Sequence, residues 1–350
     1  MKMLSNLSVG TDFISIDVGS TSIRALELKG SSMPKSLARY AAAPIPDQIS
    51  RSDAPEDRQK LASEIRKLLD DSGFKEENVV VGIPSGRVFA TVVDFPKLPT
   101  KELHKTITYQ LDNHIPSSID EVKVDWSVLG DSPAGNDKVE VLIASVGNKF
   151  AEDRLDLFES IGLNVVALEP DALALVRSLV SYSYAGSALL LDIGSNATDL
   201  VVVDNQMPKL IRSLPIGGSN FVKSASQNLN VDDERANEFV YKFGLNTGKL
   251  EGQVARALQP TVDSLTSEVN KSIKFFSNRY KRERIDKIIV TGRASTIPNL
   301  ALEIANATGT QVEIGNSWQN VNYPQSQLNQ LQQIANHFTV AIGLSLRTEQ

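Results

Sequence analysis

One pattern occurs twice in this chain, as FISIDVGSTSIRALEL at 13–28 and LLLDIGSNATDLVVVD at 189–204. In each copy an apolar run carries an Asp near its end, Asp17 or Asp192. A short polar turn follows, Gly19-Ser20-Thr21-Ser22 in the first copy and Gly194-Ser195-Asn196 before Thr198 in the second, and then a second apolar run. Two strands joined by so tight a turn predict a β-hairpin. Glycine keeps the turn slim, and its successive backbone N–H groups form a concave nest suited to phosphate. The Asp before it is placed to hold a hydrated Mg²⁺, which keeps most of its waters and needs few carboxylates. A single copy is ordinary turn composition. Two copies about 175 residues apart, too long a period for a solenoid, predict a duplicated domain of ordinary size. Facing each other, two such hairpins would grip a nucleotide's phosphate tail from both sides.

The rest of the chain allows that reading. Its 350 residues suffice for two domains, each with its own core. A net charge of −6 argues against non-specific nucleic-acid binding, so no nucleic acid is expected as a partner. The absence of cysteine removes disulfides and thiolate metal sites. His104, His114 and His337 lie far apart, without metal-ligand spacing. No apolar run approaches the ~20 residues of a membrane span. The first ten residues are polar and too short for a secretory signal. The expectation is a cytoplasmic protein whose membrane contact comes through a partner. No G-x-x-x-x-G-K-[ST] motif occurs, which excludes the P-loop class.

Between the hairpins, residues 30–55 read as a strand and a surface loop, and 58–69 as a helix with Leu61, Ile65, Leu68 and Leu69 on one face and Gly73 as its stop. A different unit begins near Asn78. It runs as two strands about Gly82–Gly86, a helix N-capped at Thr100 with the stripe Leu103, Ile107, Leu111 and Ile115, two strands, a helix from Phe150 to Ile161, and a last strand. After the second hairpin come a charged helical stretch over 221–245, a long helix over about 255–280, a buried strand ending in VTGRAS, and a helix over 298–308. Residues 315–330, rich in Gln and Asn, read as a surface loop before an apolar closing helix over 331–346.

The paired hairpins resemble the phosphate loops of the actin-like ATPase superfamily. An insert inside the first half narrows the resemblance to its FtsA/PilM branch. YQLDNHIPSSIDEVKVDWSVLG, ESIGLNVVALEPDALAL, LIRSLPIGGSNF, LTSEVNKSIKFF and the closing AIGLSLR are similar, in order, to PilM-type type IV pilus assembly proteins. The resemblance implies an α/β fold of two duplicated domains with an inserted β-α subdomain. It places subdomain 1A at 12–77 with 166–187 and the closing helix 331–347, the inserted 1C at 78–165, 2A at 188–225 and 286–330, and 2B at 226–285. It implies ATP and Mg²⁺ as cofactors. Asp17 and Asp192 would flank the metal. Gly19, Ser20, Thr21, Ser22, Arg24, Gly194, Ser195, Asn196, Thr198, Gly217, Gly218, Asn237, Gly292 and Arg293 would line the nucleotide.

The match departs from the family at several of these positions. Arg24 stands where the family usually has Lys, and Arg293 where it has the second Gly of a pair. In 236–240 (ANEFV) Asn237 stands for a Glu and Val240 for a Lys. Losing polar partners worth about 0.5–1.5 kcal/mol each predicts weaker adenosine contacts. Turnover would need a water-orienting group, for which Glu169 is the candidate. The resemblance further implies a partner, the N-terminal cytoplasmic peptide of a PilN-type inner-membrane protein. That peptide is mostly apolar with a basic end, so its groove should offer an apolar floor and carboxylates such as Asp94 and Glu102. Four readings stay open: a scaffold with weak or no hydrolysis, an active ATPase, an FtsA-like self-associating protein, and a sugar or small-molecule kinase of the same superfamily, for which no sequence feature identifies a substrate base or pocket.

Overall fold

The structure, a computed structural model, describes residues 12–30 and 32–348. The chain forms two compact units: residues up to Ser181 with Trp318–Leu331 and from Val340 on, and Tyr182–Ser317 with Gln332–Thr339.

The first unit is built on β1 (Ile14–Val18), β2 (Ser22–Lys29), β3 (Lys35–Pro44), α1 (Asp47–Arg51), α2 (Pro55–Asp71) and β4 (Asn78–Ile83). After these come β5 (Val88–Pro96), α3 (Thr100–Gln110), β6 (Val122–Asp131), β7 (Lys138–Gly147), α4 (Asn148–Glu159), β8 (Asn164–Pro170) and α5 (Asp171–Leu179). Its main sheet runs β3-β2-β1-β4-β8, with the short strand Val321–Asn322 beside β3. β1, β2 and β3 pair antiparallel, whereas β4 joins β1, and β8 joins β4, in parallel. Strands enclosed on both sides in this way read as unbroken apolar runs. Ile14, Ile16, Val79, Val81 and Ile83 are accordingly buried under α2, which contributes Leu61, Ile65, Leu68 and Leu69 as its spacing predicts. Gly73, just past the end of α2, adopts φ +69°, the left-handed conformation that suits a helix stop.

The second unit repeats this plan. β9 (Ser187–Ile193), β10 (Thr198–Asp204) and β11 (Met207–Leu214) form an antiparallel meander. α6 (Gly218–Leu229), α7 (Asp233–Lys242) and the long α8 (Gln253–Tyr280) lead to β12 (Lys287–Thr291), α9 (Leu300–Thr308) and β13 (Val312–Ile314). The sheet order β11-β10-β9-β12-β13 matches β3-β2-β1-β4-β8 strand for strand, including the switch from antiparallel to parallel. The closing helix, α10, spans Leu328–Ser345.

This correspondence corrects the start of the insert. Asn78–Ile83, read from sequence with the inserted unit, is the counterpart of β12 and lies between β1 and β8. α4 occupies the place that α9 holds between β12 and β13, and its Leu157 and Phe158 join the main core. What is added is the stretch between them, a three-stranded sheet in the order β5-β7-β6 covered by α3. The two strands about Gly82–Gly86 thus belong to different sheets. Leu103, Ile107, Leu111 and Ile115 form the insert's core with Phe95, Val141 and Ile143, as the stripe predicts. Thr100 is the first helical residue rather than the cap; Pro99 holds the cap position without a side-chain bond. On the same layer His104 meets the half-buried Trp126 edge-on, ring centroids 5.2 Å apart.

Residues 315–330 also differ from expectation. Trp318 is 1% exposed, and its Nε1–H donates to the Leu331 carbonyl at 2.8 Å. The Asn320 amide donates to the Arg177 and Val180 carbonyls. One large apolar ring and the needs of buried carbonyls turn a polar stretch into an internal strap.

Candidate functional site: two hairpin turns

In the first unit, β1 and β2 pair Val18 with Ile23 and Asp17 with Arg24, leaving residues 19–21 as the turn. The Gly19 N–H donates to the Ser22 carbonyl at 3.0 Å, the Ile45 N–H to Thr21, and the Ser50 hydroxyl to Ser20 at 2.7 Å. The Ser20, Thr21 and Ser22 carbonyls are therefore occupied. The Ser20 N–H has no acceptor among the described residues, as a nest for an anion requires. Arg24 lies across the turn: its Nη1 donates to Asp17 Oδ2 at 2.7 Å and its Nη2 to Ser22 Oγ at 2.8 Å. A Cβ on Gly19 would stand 2.8 Å from that Nη1.

In the second unit the Gly194 N–H donates to the Ala197 carbonyl at 2.9 Å, closing the turn between β9 and β10. Here the start of α6 packs on the loop. The Gly218 and Ser219 N–H groups donate to the Gly194 and Ser195 carbonyls, and Thr198 Oγ1 donates to the Ile216 carbonyl at 2.6 Å. The Gly217 N–H is capped by Asn220 Oδ1. Gly217 must be glycine, since a Cβ would fall 2.7 Å from the Ala197 nitrogen and 2.8 Å from that of Asn196. Gly292, at φ 84° and ψ 166°, sits directly against Asp192 Oδ1, where no Cβ fits.

Beside this loop is a second cluster in the same unit. The Tyr241 hydroxyl lies 2.7 Å from where a Gly218 Cβ would be, and the Arg293 guanidinium lies 5.3 Å over the Tyr241 ring. Burial raises the Tyr241 pKa, and the nearby Arg293 charge offsets this in part. Arg293 and Asn237 are exposed, while Val240 is fully buried in the core with Ala236. Lysine at 240 would therefore have nowhere to reach. The residue of α7 that faces the glycine loops is Tyr241, which the sequence reading missed; a motif register one residue later would have found it.

Glu169, at the end of β8, is 1% exposed. Its two oxygens meet Arg177 Nη2 and Arg347 Nη1, each at 2.5 Å. Burial pushes its pKa up, but the two guanidiniums prevail and hold it below the usual glutamate range. Asp94 accepts from Ser132 Oγ at 2.6 Å, and Glu102 stands exposed on α3. A pocket in the first unit combines Leu61, Phe150 and Leu157 with Asp53, Asp153, Arg58 and Arg154, and Arg58 pairs with Asp153. The guanidiniums of Arg87 and Arg154 flank its Phe150 ring at 5.1 and 5.2 Å. Among the described residues no three His, Asp or Glu side chains group to hold a metal ion, and no helix is long and apolar enough to cross a membrane.

Residues 15–349 match the family described as type IV pilus assembly protein PilM. The chain belongs to that family. A solved PilM-PilN type IV pilus biogenesis complex matches 96% of this chain and 98% of its own at 24% identity, with a TM-score of 0.82. The ethanolamine utilization protein EutJ from Carboxydothermus hydrogenoformans follows at 14% identity and TM-score 0.59, over 98% and 92% of the two chains. MreB5 of Spiroplasma citri bound to AMPPNP matches at 12% and 0.54, over 95% of each. At these identities the likeness establishes the fold, which is the actin-like ATPase fold the duplicated hairpins pointed to. Family membership assigns the chain to type IV pilus assembly.

Proposed function

We propose that this PilM-family chain is an ATP-binding adapter on the cytoplasmic face of the inner membrane, where it holds the N-terminal tail of a PilN-type protein. The observation that carries the nucleotide half is the repeated turn, slim at glycine and bordered by Asp17 or Asp192. Its support is the likeness to an MreB solved with AMPPNP. The Ser20 N–H of the first turn and the N–H groups of 195–196 in the second would take phosphate oxygens, the Gly19 and Gly194 N–H groups being used to close the turns, and Asp192 would hold a hydrated Mg²⁺. Gly217, Gly218, Tyr241, Gly292 and Arg293 would border the nucleoside. When bound, the metal supplies charge neutralisation for the phosphates. Turnover is slow in this reading, because Glu169 is committed to two arginines and cannot orient a water.

The peptide half is supported by the likeness to a PilM solved in complex with PilN. We assign the tail to the side of the first unit that carries the insert. The pocket around Phe150 offers an apolar wall of Leu61, Phe150 and Leu157 for a mostly apolar peptide; its carboxylates, Asp53 and Asp153, are paired with Arg87 and with Arg58 and Lys149, so the peptide's basic end would take the place of one of these cations. Ordering an extended peptide costs enough to place the affinity in the micromolar range. Titrating a labelled tail peptide of the PilN-type partner against the intact chain tests this. Saturation below about 100 µM, near −5.5 kcal/mol, is expected, and Phe150→Ala should weaken it. No binding at that concentration, with or without ATP, removes the adapter reading.

A further inference from the structure

The first hairpin fits a metal poorly. Mg²⁺ demands near-ideal octahedral geometry and keeps several waters, so a carboxylate that serves it needs open space in front of its oxygens. Asp17 has little: its side chain is 6% exposed, and Oδ2 is taken by Arg24 at 2.7 Å. The guanidinium is fixed at a second point by Ser22 and stands beside Gly19, its Nη1 2.8 Å from where a Cβ would be, and the Arg24 side chain is only 15% exposed.

We propose that Arg24 is the cation of the first hairpin: Asp17 positions it, it meets the nucleotide's phosphate directly, and the magnesium dependence of binding resides in the second hairpin alone. The inference rests on the nucleotide-binding reading above and deepens it. A guanidinium carries five N–H donors in a rigid fork. Two are spent on Asp17 and Ser22, which aim the group, and the others remain for an anion. They stand beside the turn whose Ser20 N–H lacks an acceptor. Charge-assisted bonds from such a fork to phosphate are short and strong. The second hairpin has no such cation of its own sequence: the register that sets Arg24 opposite Asp17 sets Asp199 opposite Asp192.

The test is calorimetric titration of the full chain with ATP, in excess Mg²⁺ and in EDTA, for the parent and for Asp17→Asn, Asp192→Asn, Arg24→Ala and Arg24→Lys. Circular dichroism checks that each variant is folded. The parent should bind more tightly with Mg²⁺. Asp17→Asn should keep that Mg²⁺-to-EDTA ratio within about two-fold, even if it weakens binding in both media, whereas Asp192→Asn should abolish the ratio. Arg24→Ala should lose about ten-fold in both media, and Arg24→Lys, a point charge on the same strand, should lose less. If Asp17→Asn erases the ratio as Asp192→Asn does, or Arg24→Ala binds like the parent, the proposal fails while the nucleotide reading stands. If the parent binds no ATP in either medium, both fall together.

Discussion

Residue for residue, the first hairpin sets Arg24 opposite Asp17 and the second sets Asp199 opposite Asp192. Directly opposed residues of an antiparallel pair share a face, so the first arrangement is a cross-strand ion pair and the second a pair of like charges, which costs free energy unless other groups intervene. Ser213 of β11 is one such group, donating to Asp199 Oδ1 at 2.8 Å. The backbones differ as well. The first turn is closed by its own strand and by Ile45 and Ser50, whereas the second is pinned by the start of α6 and by Gly292. The lesson is that the duplication kept the strand order and let the turn chemistry diverge.

The strongest way to break the contrast is Arg24→Asp, which gives the first hairpin the charges of the second. It removes one partner of a largely buried pair and adds repulsion, so a loss of about 3–5 kcal/mol is expected. Chemical denaturation monitored by circular dichroism should show the lower midpoint. A midpoint equal to the parent's would mean the pair contributes nothing. Next in size is Gly292→Ala. Its φ and ψ lie in a region open essentially to glycine, at a cost of about 1–3 kcal/mol before the collision with Asp192 is added. A thermal scan should fall by roughly 5–10 °C.

A smaller effect depends on pH and belongs to the first unit. Glu169 has a folded pKa below its unfolded value near 4.3, so its contribution is present above that value and is lost as pH falls through the depressed folded pKa. Glu169→Gln should flatten the acid limb of the stability profile below about pH 4.5; an unchanged slope there would show that the triad with Arg177 and Arg347 is not coupled to folding. Smallest is Gly19→Ala, the counterpart of the glycine changes in the second unit. The new methyl group meets the far end of Arg24, which can move, and the Ser22 carbonyl oxygen at 3.3 Å, which need give by only a few tenths of an ångström, so stability should change by less than about 1 kcal/mol. ATP affinity, measured in parallel, should nonetheless drop if the guanidinium is displaced. A loss of stability as large as that of Gly292→Ala would mean that the two turns are equally rigid.

Much of this was legible in the chain. The repeated Asp-x-Gly-Ser turns, the stripes of α2 and α3 and the long α8 are local patterns, and local patterns survive folding. What escaped was non-local. Asn78–Ile83 and Val88–Pro96 are both apolar strands a few residues apart, and nothing local says that one joins the parallel core and the other the insert. Trp318 hid in a Gln- and Asn-rich stretch because one buried ring outweighs several polar neighbours. Arg24 and Asp17 were both singled out, yet as separate ligands of phosphate and metal. Their pairing follows from register, which shows only once the strands are aligned.

The two tryptophans offer an optical consequence. Trp318 is sealed in the first unit, while Trp126 is half-buried on the insert under the edge of His104. Their emission should differ in colour and in access to quenchers. A Trp318→Phe chain, where Phe keeps much of the buried ring, would then carry a single emitter on the insert sheet. Any ligand that shifts α3 would register as a change in fluorescence without a dye attached.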